Sequence, residues 1–182
     1  MTPVRQQPDT MRIACSLVSG DAARRTLPAS SPVVSLMFVD FLGAGFDPMF
    51  NHMAKNPYMS GGQVRVPVTI LTAIGGGYGD AGQHSQVLYG LFAHVPEFKV
   101  VVPSTAYDAK GLTLAALRDP NPVVVCGHKL LAGLPFLSFE GEEEQVPEDA
   151  YAVELGRAAV RREGSDLTIV AAGVMVPRSL RD

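Results

Sequence analysis

Four short runs of apolar β-formers, separated by stretches with helical spacing, constrain this chain more than any other feature. The runs occupy residues 33–39, 66–72, 98–102 and 123–126, and their near-continuous apolar character suits strands buried on both faces. Between the first two, Asp47-Pro48 marks a helix start, with Met49, Phe50 and Met53 following at helical spacing. Residues 84–95 place Val87, Leu88, Leu91, Phe92 and Val95 on one stripe and predict an amphipathic helix. Thr105 with Asp108 resembles a capping box and opens a further helix through Leu112, Ala115, Ala116 and Leu117. Parallel strands need helical crossovers, so the alternation predicts an α/β class: a parallel sheet with helices on both faces.

Residues 1–31 form an irregular lead, and 32–135 form the α/β domain. The acidic, proline-bounded stretch within 136–154 reads as an exposed linker. Residues 155–182 read as the start of a truncated second α/β domain, whose first strand is expected at 167–172.

The chain has 182 residues, 47% of them hydrophobic, and a formal net charge of −3. That balance argues against a nucleic-acid surface or a polybasic membrane patch. Nor is there a run of about 18 apolar residues to suggest a membrane span. Cys15 and Cys126 sit in apolar surroundings and build neither a disulfide framework nor a metal site, which fits a reducing cytoplasm.

Few groups are equipped for chemistry. The loop Gly77-Tyr78-Gly79-Asp80-Ala81-Gly82 matches G-x-G-x-x-G between a predicted strand and helix, but Val102-Pro103-Ser104 stand where a dinucleotide site wants an acid. His84 lies just beyond that loop, at the carboxyl edge of the sheet where ligands bind, and its predicted helix N-terminus would favour a neutral imidazole. A site role and a satisfied surface histidine both remain open there. His52 and His94 read as helix-surface residues, and His128 could line the same edge. Phe38, Phe41 and Phe46 surround the end of the first strand, as core or as a pocket wall for a flat ring.

Six ordered blocks carry a family likeness: Met37-Phe38-Val39-Asp40-Phe41, Tyr58-Met59-Ser60-Gly61-Gly62-Gln63, Gln83-His84-Ser85-Gln86, Lys99-Val100-Val101-Val102-Pro103-Ser104, Asp108-Ala109-Lys110-Gly111-Leu112 and Arg118-Asp119-Pro120-Asn121-Pro122-Val123. Over residues 32–178 the chain closely resembles the β subunit of the thiamine-diphosphate-dependent 2-oxoacid dehydrogenases of pyruvate, branched-chain and acetoin types. The resemblance implies a transketolase-like pyrimidine-binding domain followed by a C-terminal α/β domain. It also implies an α2β2 assembly in which an α-type partner holds the diphosphate and Mg2+ through a Gly-Asp-Gly motif, absent from this sequence. A lipoyl-bearing acyltransferase or carrier would receive the acyl group.

By that resemblance Phe41 stacks on the aminopyrimidine, Met37 lines the same pocket, and His84 handles protons or receives the lipoyl arm. Such proton transfers call for a neutral base. Ala116, Leu117, Asp119 and Asn121 match a monovalent-cation (K+) loop. The family's pyrimidine-activating glutamate has no counterpart in residues 1–31, where Asp9 and Asp21 are the only acids. A non-catalytic scaffold homologue lacking that glutamate is therefore the alternative reading, and dinucleotide binding a third.

Overall fold

The computed structural model describes residues 31–77, 79–133 and 145–181. Cys15, Tyr78, the lead up to residue 30 and the acidic stretch 136–144 lie outside them. Four parallel strands, β1 (Val33–Phe38), β2 (Thr69–Ile74), β3 (Lys99–Val101) and β4 (Val123–His128), form one sheet in the order β1-β2-β4-β3. The predicted α/β class is the observed one. At its centre Thr69 pairs with Val123 and Ile74 with His128, so β2 and β4 end together at one edge.

Two cores flank the sheet because successive strand residues face opposite ways. On one side Ile70, Val124 and Cys126 pack with Phe50, Phe92 and Phe98. The three rings meet edge to face at centroid distances of 5.5 to 6.0 Å. On the other, Val123 and Val125 meet Leu112 and Ala116. The last two belong to a helix that completes this layer.

Four α-helical segments are present among the described residues: α1 (Asn56–Met59), α2 (Tyr89–Ala93), α3 (Ala106–Arg118) and α4 (Met175–Arg181). Thr105 caps α3 as expected, its Oγ1 accepting from the Asp108 N–H at 3.1 Å. The reciprocal half of the box differs: Asp108 Oδ2 accepts from Ser104 Oγ at 3.0 Å and meets Arg161 at 3.4 Å. Gly111 lets another segment lie against this helix, Val153 N donating to the Gly111 carbonyl at 3.1 Å.

Several boundaries correct the sequence reading. Strand β1 ends at Phe38, and Val39 opens a 3-10 segment, Val39–Gly45. Strand β2 starts at Thr69 rather than 66, because Pro67 has no N–H to give a ladder. Pro48–Met53 is helical but of π type, and Asp47 Oδ1 accepts from Asn51 Nδ2 at 2.7 Å instead of capping it. The helix expected over 84–95 shrinks to a 3-10 turn, Gly82–His84, and the single turn of α2. Of its stripe, Phe92 is fully buried while Val87 and Leu91 are exposed. The strand expected at 167–172 is absent: no described strand pairs with it, and Val170 is 92% exposed. No helix among the described residues is long and apolar enough to cross a membrane.

Candidate functional site

At the carboxyl edge of the sheet, β1 runs into the 3-10 segment that buries Val39 and Leu42. Burying those two leaves Phe38, Asp40 and Phe41 at the rim. Beside it, the glycine-rich loop leaves β2 through Gly75, whose φ of +80° is open to glycine and strained for other residues. A Cβ there would lie 2.2 Å from His128 Nε2. Farther along, Ala81 holds a positive φ of 63°, a conformation that costs a non-glycine residue about 1–3 kcal/mol. Its carbonyl is pinned by Ser85 Oγ at 2.8 Å and by His84 N at 3.3 Å.

The loop delivers His84 onto the phenyl rings of β1 and its turn. Its imidazole lies 4.9 Å from Phe38 and 5.3 Å from Phe41, nearly perpendicular to both. Phe38 and Phe41 are themselves 5.9 Å apart at 87°. Met37 stands outside this ring group, 59% exposed on β1.

Polar atoms buried here remain unpaired. Asp40 Oδ1 accepts from Gln86 N at 3.2 Å, but its Oδ2 has no partner among the described residues, nor does His84 Nδ1. A third such atom, Thr69 Oγ1, belongs to the core. Unpaired buried polar atoms are uncommon, and two beside one ring group suit a ligand that carries a flat heterocycle and hydrogen-bonding nitrogens. His84 sits at the end of a three-residue turn, so the helix dipole expected to act on it is not available. The same change removes the strand–loop–helix context that the dinucleotide fingerprint requires.

A residue that sequence reasoning missed closes the site from below. Lys129 follows β4 directly and is 5% exposed. Its Nζ donates to Asp80 Oδ2 at 2.7 Å, to Oδ1 at 3.0 Å and to the His84 carbonyl, and it lies 5.2 Å from the Phe38 ring centroid. No signal in the sequence joins Lys129 to Asp80, 49 residues away; only the fold brings the two together.

The other candidates have structural roles. His128 lies at the same edge, where its Nδ1 accepts from Leu130 N at 3.2 Å. His52 is half exposed, 3.5 Å from Asp47 Oδ2, and His94 closes α2 through its N–H to Gly90 O. Burial pushes the Cys126 thiol up to about 12, so it is a core residue and no nucleophile. Among the described residues no cluster of three or more histidine, cysteine or acidic side chains could hold a metal.

Ala116, Leu117, Asp119 and Asn121 lie together where α3 turns into β4, and several of their oxygens accept hydrogen bonds within the chain. Ala116 O accepts from Asp119 N at 3.2 Å, and Leu117 O from Ser31 Oγ at 2.6 Å. Asp119 Oδ1 takes Asn121 N at 2.9 Å, and Oδ2 faces the Lys99 ammonium at 2.5 Å. That ammonium supplies a positive charge beside the Asp119 carboxylate.

Comparison with known proteins gives this edge a context. Residues 23–134 match the family described as the transketolase pyrimidine-binding domain. The chain belongs to that family. It is 50% identical over 149 residues to the acetoin:2,6-dichlorophenolindophenol oxidoreductase subunit beta of Cupriavidus necator, covering 82% of this chain and 42% of that protein. It is 42% identical over 169 residues to the pyruvate dehydrogenase E1 component subunit beta of Bacillus subtilis, covering 93% of this chain and 50% of that protein. The chain thus spans about half the length of the curated relatives it matches. A solved structure described as a split-gene transketolase, inactive beta4 tetramer, aligns with 98% of this chain and 48% of its own at a TM-score of 0.65 and 23% identity, which shows a shared fold.

Proposed function

We propose that this pyrimidine-binding domain supplies the aminopyrimidine side of a thiamine diphosphate site within a β-type component of a 2-oxoacid or acetoin dehydrogenase. The reaction is oxidative cleavage of the bond next to the oxo group, with loss of carbon dioxide from a 2-oxoacid or of an aldehyde from acetoin, and the acyl group passes to a lipoyl disulfide that is reduced. The observation that carries the reading is the perpendicular group of Phe38, Phe41 and His84 at the carboxyl edge, beside Asp40 Oδ2 and His84 Nδ1, which have no partner among the described residues.

When bound, thiamine diphosphate supplies the carbanion chemistry that cleaves the bond next to a 2-oxo group. The residues of this chain orient it and move protons. Phe41 offers a ring face to the pyrimidine, and stacking of this kind contributes about 0.5–1.5 kcal/mol beyond area burial. His84, with one ring nitrogen unpaired, accepts or returns a proton at the reacting edge. Asp40 Oδ2 is an acceptor within the same group, suited to an amino or ring N–H.

An α-type chain that holds the diphosphate and Mg2+ completes the site in an α2β2-like assembly with a second β-type chain. Exposed Tyr58, Met59 and Phe46 supply apolar surface for such partners. The test mixes the chain with an α-type subunit, thiamine diphosphate and Mg2+, and follows decarboxylation of 2-oxoacids and cleavage of acetoin. Activity in the mixture and none in either chain alone is expected. Normal pairing with no cofactor-dependent heat or turnover would replace the reading with a non-catalytic scaffold.

A further inference from the structure

We propose that Lys129 is a positioning residue that sets the His84 imidazole against Phe38 and Phe41, an inference that rests on the site role proposed for His84. Lys129 ends no strand ladder and touches no reacting position, yet its ammonium is nearly fully buried. A buried ammonium persists where its donors meet acceptors, and among the described residues they meet both carboxylate oxygens of Asp80 and the backbone carbonyl of His84.

These contacts join parts of the chain that are remote in sequence. Lys129 is held by the 3-10 turn Lys129–Leu131 at the end of central strand β4. Asp80 and His84 lie on the loop after β2, which Ser85 tightens by donating to Asp80 Oδ1 at 3.2 Å. The ammonium also stands over the Phe38 ring. One side chain thereby fixes both the backbone under His84 and one of the two rings that His84 meets. Such a tether sets the direction of an imidazole without entering its chemistry, and a misplacement of about 1 Å is enough to cost about a hundredfold in rate.

The chain itself, labelled for NMR, provides the test. In the wild type the His84 ring protons are expected to show nuclear Overhauser contacts to Phe38 and Phe41, whose ring centroids lie 4.9 and 5.3 Å away. Lys129→Met is expected to abolish these contacts and move the His84 ring signals toward those of exposed His52, while the amide signals of β4 stay in place. Because Lys129→Met removes the ammonium that faces the Asp80 carboxylate, the double variant Asp80→Asn/Lys129→Met, which removes both members of the ion pair, is measured beside it.

Loss of the ring contacts in a folded variant supports the assignment; their survival in a folded variant overturns it. Unfolding of both variants would make the ion pair a staple of the fold and overturn it equally. In the α-type mixture, Lys129→Met should lower kcat at least tenfold with KM for the 2-oxoacid unchanged, and an unchanged kcat would also overturn the assignment. Should the wild-type mixture show no turnover, the proposed function fails while the NMR result still decides the role of Lys129.

Discussion

The imidazole of His84 stands at 87° to the phenyl ring of Phe41, their centroids 5.3 Å apart, although one comes from the turn after β1 and the other from the loop after β2. The two turns meet because β1 and β2 are parallel neighbours, with Phe38 paired to Ala73. Parallel pairing brings the carboxyl ends of adjacent strands together and so gathers the residues that follow each strand.

Gly111 offers a prediction opposite to ordinary helix propensity. Replacing a helical glycine with alanine normally stabilises by about 0.5–1 kcal/mol. Here the new Cβ would lie 2.5 Å from Val153 Cγ2 and 2.8 Å from the Tyr151 ring. Gly111→Ala should therefore destabilise by about 1–3 kcal/mol, seen as a lower urea midpoint. An unchanged or raised midpoint would show that the 151–153 segment does not press on α3.

At Gly75 two penalties coincide, a φ of +80° and a Cβ that would meet the His128 ring. Gly75→Ala should lower Tm by several degrees, as a loss of about 1–3 kcal/mol does in a domain of this size. It should also disturb the His84 ring signals, because the Gly75 N–H donates to Gln86 O at 2.9 Å on the same loop. A variant with wild-type melting and wild-type His84 signals would contradict the close approach.

Cys126 carries a pH prediction. Its thiol is pushed from 9.0 up to about 12 by burial. Above pH 9 the unfolded chain releases this proton while the folded chain keeps it, so ionisation favours unfolding. The contribution of this group to stability is complete below pH 9 and declines as pH rises from about 9 toward 12. Cys126→Ser should flatten that decline in urea midpoints, and iodoacetamide at pH 8 should leave Cys126 unmodified until the chain unfolds. Rapid labelling of the folded chain would contradict the burial.

Much of the fold was legible because its central strands, β2 and β4, are largely buried. Val123, Val124 and Cys126 are apolar without alternation since helices cover both faces, and that pattern survives in a single sequence. Helix α3 was legible through Thr105, a cap whose hydrogen bond forms as expected. The stripe over 84–95 misled because apolar spacing does not reveal burial: Val87 and Leu91 face outward, and the chain forms only short turns there. At the site, the carboxyl-edge rule placed His84 and Phe41 together. Lys129 stayed hidden because its partners, Asp80 and the His84 carbonyl, reach it only through the sheet register of β2 against β4.

The most direct test of the central claim is a calorimetric titration of thiamine diphosphate with Mg2+ into the chain paired with an α-type subunit, for wild type and Phe41→Ala. Cofactor binding in the wild-type pair, weakened at least tenfold by Phe41→Ala with pairing intact, is the predicted result. Equal affinity in the two pairs would contradict the claim that this ring carries the pyrimidine.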